Sequence, residues 1–138
     1  MDHNQIFAVS AQGMSLERTR LEVASLNLAN ANTLLGADGS GYQPLSVVAR
    51  TVPGFGARID QSLTTQFSVV ASPRAPRQVY EPNHPSANAA GFIFQPNIDP
   101  AQEMMTVMTA TRAYEANVAA MNAARAMTQK ALEIGANR

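Results

Sequence analysis

Phe7, Met14, Leu21 and Leu28 recur seven residues apart in a stretch without proline, about Gln5 to Asn30, with Ala11 and Ala24 near the intermediate positions. That period keeps side chains on one side of an α-helix. A second row, Val9, Leu16 and Val23, repeats two positions further on. The apolar face is therefore wider than a bare coiled-coil seam. Gln12, Glu17, Arg18 and Glu22 lie on the opposite side, and Asn27, Asn30, Asn32, Thr33 and Gly36 supply groups that compete with a helix or end it. Asn27 and Asn30 are expected to serve there as structural polar groups, satisfying free backbone atoms.

A longer helix is expected at the other end. Asp99-Pro100-Ala101-Gln102 combines an N-capping acid, a proline at the first helical position and a glutamine placed to complete a capping box. The stripe Met104, Val107, Thr111, Tyr114, Val118, Met121, Arg125, Thr128, Leu132 alternates steps of three and four. With Gly135 as the stop, this helix runs some 35 residues, or about 50 Å. Between the helices lie six of the eight glycines and seven of the eight prolines. β-branched or aromatic runs at Leu45 to Val52, Thr65 to Ala71, Gln78 to Tyr80 and Gly91 to Phe94 read as short antiparallel strands among long loops. The expected fold is mainly α with a small β region. Helices within 1–33 and 99–138 pair as a coiled-coil-like unit forming one assembly domain, and 34–98 forms an irregular β and loop segment.

Composition changes this picture in one respect. Of the 138 residues 46% are hydrophobic, but 24 of these are alanine and none is tryptophan, so the core available to one copy is thin. A helix of about 50 Å also exceeds what a domain with a radius of gyration near 14 Å covers. The uncovered helical surface must meet other chains. The residues expected in such subunit contacts are Phe7, Met14, Leu21, Asn27, Leu28 and Asn30 on the first helix, and Met104, Val107, Tyr114, Val118, Met121 and Leu132 on the last.

Charge and chemistry remove most other classes. Ten basic residues balance ten acidic ones and are scattered, which argues against a nucleic-acid partner. With no cysteine and only His3 and His84, neither a disulfide framework nor a His-rich zinc site is expected. His84, in Asn83-His84-Pro85, reads as a turn residue, and Asp99 with Glu103 as favourable charge at a helix start. Gly39-Ser40-Gly41 and Gly54-Phe55-Gly56 are too short for phosphate loops, and no nucleophile elbow occurs. Met104, Met105, Met108, Met121 and Met127 read as adaptable packing in a helix interface. No catalytic residue, cofactor, metal or small-molecule substrate is expected. The start, Met1-Asp2-His3-Asn4-Gln5, lacks the basic and apolar regions of a cleaved signal peptide, and no apolar run is long enough for a bilayer.

Ser25-Leu26-Asn27-Leu28-Ala29-Asn30-Ala31-Asn32-Thr33 resembles the S-x-N-[LI]-A-N-x-x-T signature of flagellar rod, hook and hook-associated proteins, followed by the glycine-aromatic pair Gly41-Tyr42. Gln43-Pro44 replaces the basic residue often found next. Val79 to Ala87, Gly91-Phe92-Ile93, Pro96 to Asp99, Glu103-Met104-Met105, Arg112 to Val118 and Lys130 to Gly135 narrow the resemblance to the short proximal rod proteins of the bacterial flagellar basal body, over essentially the whole chain. The resemblance implies a subunit of the drive shaft that crosses the periplasm, polymerising through its terminal helices. It also implies export through the flagellar type III apparatus without a cleaved signal, an inner tubular layer of paired helices, and contacts with copies of itself, other rod subunits and the rod adaptor at the membrane-ring junction. Two rival readings stay open on the residues alone. One is a soluble coiled-coil adaptor forming a closed oligomer, and the other a small enzyme with its site in the Gly- and Pro-rich middle.

Overall fold

A computed structural model describes residues 3–36, 38–53 and 63–136. The elements follow in the order α1 (His3–Asn30), β1 (Leu45–Pro53), β2 (Leu63–Ala71), β3 (Arg77–Tyr80), β4 (Phe92–Gln95) and α2 (Pro100–Ala136). Two long helices pack together with a small antiparallel β region between them in sequence, as the hydrophobic pattern predicts. Gly54-Phe55-Gly56 lies outside the described residues.

The 28 residues of α1 and 37 of α2 make helices of about 42 and 55 Å. The Asp99 carboxylate caps α2, its Oδ1 accepting from the Ala101 N–H at 2.9 Å. Gln102 was expected to bond back to the cap, but no such bond forms among the described residues, and Gln102 lines a cleft beside β1 instead. α2 ends at Ala136, one residue past the Gly135 expected to stop it.

Two contacts fix how the helices run. Asn27 on α1 reaches Glu103 on α2, while a Cβ added to Gly13 would come within 2.9 Å of the Asn117 amide. Moving back 14 residues along α1 moves the partner forward 14 along α2, so the helices are antiparallel and in phase over two heptads.

Strands β1 and β2 form one hairpin, in register from Leu45↔Ala71 to Pro53↔Leu63, and β3 and β4 a second, from Arg77↔Gln95 to Tyr80↔Phe92. The second is closed by an edge-to-face contact between the Tyr80 and Phe92 rings, 5.2 Å apart. Gly91 before it has φ 80°, and a Cβ there would meet Tyr80 and Pro82, so only glycine fits without strain. The Leu35 N–H donates to the Phe94 carbonyl at 2.9 Å, tying the chain leaving α1 to β4. Leu35, Ile93 and Ile98 are buried.

Among the described residues, and apart from Pro44 and Pro96, the buried apolar set is small: Val23, Ala24, Ala31, Leu35, Ile93, Ile98, Ala110 and Ala124. Half of it is alanine. The accessible surface is 9965 Å², against about 6,900 Å² for a compact monomer of this mass. The sequence-based expectation of a thin core and much uncovered helix is met by this geometry.

Candidate assembly surface and the Asn27 junction

The buried face of α1 is not the row of large apolar residues. Ser10, Glu17, Ala24 and Asn27 are buried, and Gly13 and Arg20 are half-buried, at steps of three and four, with Val23 buried beside them and Ala31 just past the helix end. The matching positions on α2 are Glu103, Ala110, Asn117 and Ala124, seven apart, of which the alanines are buried. On both helices this seam precedes by one residue the stripes Met14, Leu21, Leu28 and Met104, Thr111, Val118, Arg125, a turn of about 100°. Small side chains explain the difference, since they let backbones approach closely where Met and Leu hold them apart. Glu17, in this seam, is held by Arg20 at 2.9 Å.

The larger apolar side chains flank the seam or face outward. Phe7, Met14, Leu21, Val107, Val118 and Met121 are half-buried, whereas Leu28, Met104, Tyr114 and Leu132 are exposed. Val9, Leu26, Met108, Met127 and Ile134 are exposed as well, and Met105 is 68% and Leu132 69% exposed. Four of the five methionines expected to pack in a helix interface are thus on the outside of the helix pair, and only Met121 is half-buried. At the observed phase, residues 128–136 of α2 extend beyond His3, the first described residue of α1.

Asn27 and Asn30 have different roles. Asn30 acts at the helix end as expected, donating from Nδ2 to the Leu26 carbonyl and accepting from Thr33 Oγ1. Asn27, 2% exposed, reaches beyond its helix. Its Oδ1 accepts from the Leu45 N–H at 2.9 Å and from the Tyr42 hydroxyl at 2.8 Å, and its Nδ2 donates to the Leu45 carbonyl at 2.8 Å and to Glu103 Oε1 at 3.3 Å. Both donors and both acceptor positions are filled. Burial, and then the Glu103 carboxylate, push the Tyr42 phenol above its usual range. Neither asparagine needs the left-handed conformation, which among the described residues only glycines adopt.

Sequence reasoning singled out Asn27 but not its partners Tyr42 and Glu103 as a set, nor Gly13 and Asn117. A glycine inside a proline-free helix was the available signal for the last pair, because its helix cost of about 1 kcal/mol relative to alanine calls for a packing reason.

His84 sits in a turn, its Nδ1 accepting from the Ser86 N–H at 3.1 Å. Gly39 and Gly41 form a turn with positive φ at both. Among the described residues no group of three His, Asp or Glu side chains is placed to hold a metal ion, and no helix is long and apolar enough to cross a membrane.

Two family models match the ends of the chain: "Flagella basal body rod protein" over residues 7–34, and "Flagellar basal body rod FlgEFG protein C-terminal" over residues 89–134. They coincide with most of α1 and of α2. The chain is 36% identical to the flagellar basal-body rod protein FlgC of Bacillus subtilis, over 92% of this chain and 94% of that protein. It is 35% identical to FlgC of Escherichia coli O6:H1, over 94% and 96%. With FlgC of Aquifex aeolicus the identity is 32%, over 96% and 97%.

Proposed function

Because the chain belongs to the FlgC family of flagellar basal-body rod proteins, and is a structural subunit of the rod, we propose that it assembles by laying the outward faces of α1 and α2 against neighbouring subunits. Assembly with other rod components follows from the family itself. The finer reading is that copies of this chain and other rod subunits pack as a helical tube in the periplasm, transmitting torque, with the rod adaptor at the membrane-ring junction as one neighbour. Export through the flagellar type III apparatus without a cleaved signal belongs to the same reading. The terminal helices and the region 34–98 then act as an inner assembly domain and an outer segment.

One observation carries this proposal. Apart from Val23, the buried positions of the two helices are small or polar, so most of the large apolar side chains keep surface free for contacts outside the monomer. Sites expected from sequence, Phe7, Met14, Leu21 and Leu28 on α1 and Met104, Val107, Tyr114, Val118, Met121 and Leu132 on α2, all retain accessible surface. Heterologous contacts of this kind repeat into helical assemblies.

Met105→Asp and Leu132→Asp test it. In the monomer these positions are exposed, so each substitution should change stability by no more than about 0.5 kcal/mol. In an assembled interface a charge costs several kcal/mol, so both variants should be exported at normal level and fail to support swimming. Ala89→Asp, on an exposed loop position, should swim normally. Normal swimming of both helix variants refutes the proposal, and so does a stable small closed oligomer of the purified protein.

A further inference from the structure

We propose that Asn27 is the joint that sets the angle between the helix pair and the β1–β2 hairpin. Among the described elements, the hairpin meets the helix pair through α1 alone. An open cleft of about 220 Å³ separates its base from the helices, bordered by Arg20, Val47, Arg74, Gln102 and Thr106. Packing therefore does not clamp the hairpin from the α2 side. On the α1 side, where helix and hairpin touch, the hydrogen bonds that join them come from the Asn27 amide.

Its geometry suits the task. Oδ1 and Nδ2 meet the N–H and C=O of Leu45, the pair of groups a neighbouring strand would engage, so one side chain on a helix substitutes for a strand edge. Leu45 is the first residue of β1 and pairs with Ala71, the last of β2. The Ser72 N–H donates to the Pro44 carbonyl at 2.7 Å, closing the base of the hairpin around the same point. The second acceptor position of Asn27 takes the Tyr42 hydroxyl from the preceding loop, and its second N–H reaches Glu103 on α2. Three segments thus converge on one amide, and the requirement is for a carboxamide of this length. Aspartate would offer no donor to the Leu45 carbonyl and would face the Glu103 carboxylate, and leucine would offer nothing.

The physical content of the joint is independent of rod assembly; only its consequence, passing torque from helices to hairpin, rests on the rod reading. The absence of cysteine from the sequence allows a direct test on the purified chain. Spin labels are placed at the exposed positions Ser25→Cys in α1 and Ser68→Cys in β2, and distances are measured by pulsed electron resonance in the Asn27, Asn27→Asp and Asn27→Leu backgrounds. The expected result is one narrow distribution for Asn27 and at least a twofold broader one for both substitutions. Helical circular dichroism and amide exchange protection across the β1–β2 ladder should stay unchanged. An unaltered width in either variant overturns the proposal, because packing would then fix the angle. Collapse of helix content in both variants overturns it as well, since Asn27 would then hold up the fold rather than orient its parts. Failure of the Met105 and Leu132 variants to disturb swimming would leave these distances untouched, so the two readings fail separately.

Discussion

Replacing Gly13 by alanine probes whether the two helices pack in the phase described. Alanine favours an exposed helix interior over glycine by about 0.8–1.0 kcal/mol, and without neighbours the substitution would stabilise the protein by that amount. Here the new methyl carbon would lie 2.9 Å from both Nδ2 and Oδ1 of Asn117 and 3.0 Å from its Cγ. Asn117 cannot yield freely, because its Nδ2 donates to the Ala113 carbonyl at 2.9 Å. Losing that bond costs about 0.5–1.5 kcal/mol, and forcing extra volume into a packed contact about 1–3 kcal/mol. The balance is a net destabilisation of about 0.5–3.5 kcal/mol for Gly13→Ala. In an Asn117→Ala background the obstacle is gone, and the same substitution should stabilise by about 0.5–1 kcal/mol. The assay is a double-mutant cycle by urea denaturation followed at 222 nm. The sign reversal predicts a coupling energy of about 1–4 kcal/mol. Equal effects of Gly13→Ala in the two backgrounds would show that residues 13 and 117 do not meet, and would refute the antiparallel phase.

Two further predictions concern the β region and pH. Gly91→Ala places a side chain at φ 80° against Tyr80 and Pro82; it should cost about 1–3 kcal/mol, read as lost amide protection across β3–β4 with α1 and α2 unaffected. The raised Tyr42 phenol holds its proton more tightly in the folded chain. Its stabilising share is therefore complete below about pH 10, the unfolded value, and is lost as pH rises through the folded one. The stability difference between the native chain and Tyr42→Phe, measured by urea midpoint, should shrink above about pH 10, and a difference constant with pH would contradict this.

The elements were legible because their signals are local. Proline-free seven-residue repeats marked α1 and α2, Asp99-Pro100 marked the start of α2, and alternating runs bounded by Gly and Pro marked the strands to within two residues. The seam was less legible, because periodicity in large apolar residues reports which face avoids water and not which partner covers it. In α1 the face toward α2 is Ser10, Gly13, Glu17, Ala24 and Asn27, a stripe no hydrophobicity pattern selects. Phe7, Met14 and Leu21 on α1, with Met104 and Leu132 on α2, are consistent with a second demand on the same helices, contact with other subunits. The Asn27 junction was half legible. The asparagine stands out in a helix, but its partners come from two other stretches, Tyr42 with Leu45 and the more distant Glu103, that only the fold brings together.

The two contacts that fix the helix phase have a mechanical meaning. Gly13 against Asn117 and Asn27 against Glu103 stand 14 residues apart on each helix, about 21 Å along the axis. A single such point would let the helices scissor about it, whereas two act as keys in a splined shaft and resist both rotation and axial slip. Slipping by one residue turns the mating face by about 100°, and a slip of a whole heptad, about 10.5 Å, restores the face but sets Asn27 opposite Ala110 and Gly13 opposite Ala124, so neither key seats there. Sliding one helix along the other therefore reaches no second register that seats either key, and has to break both contacts to begin.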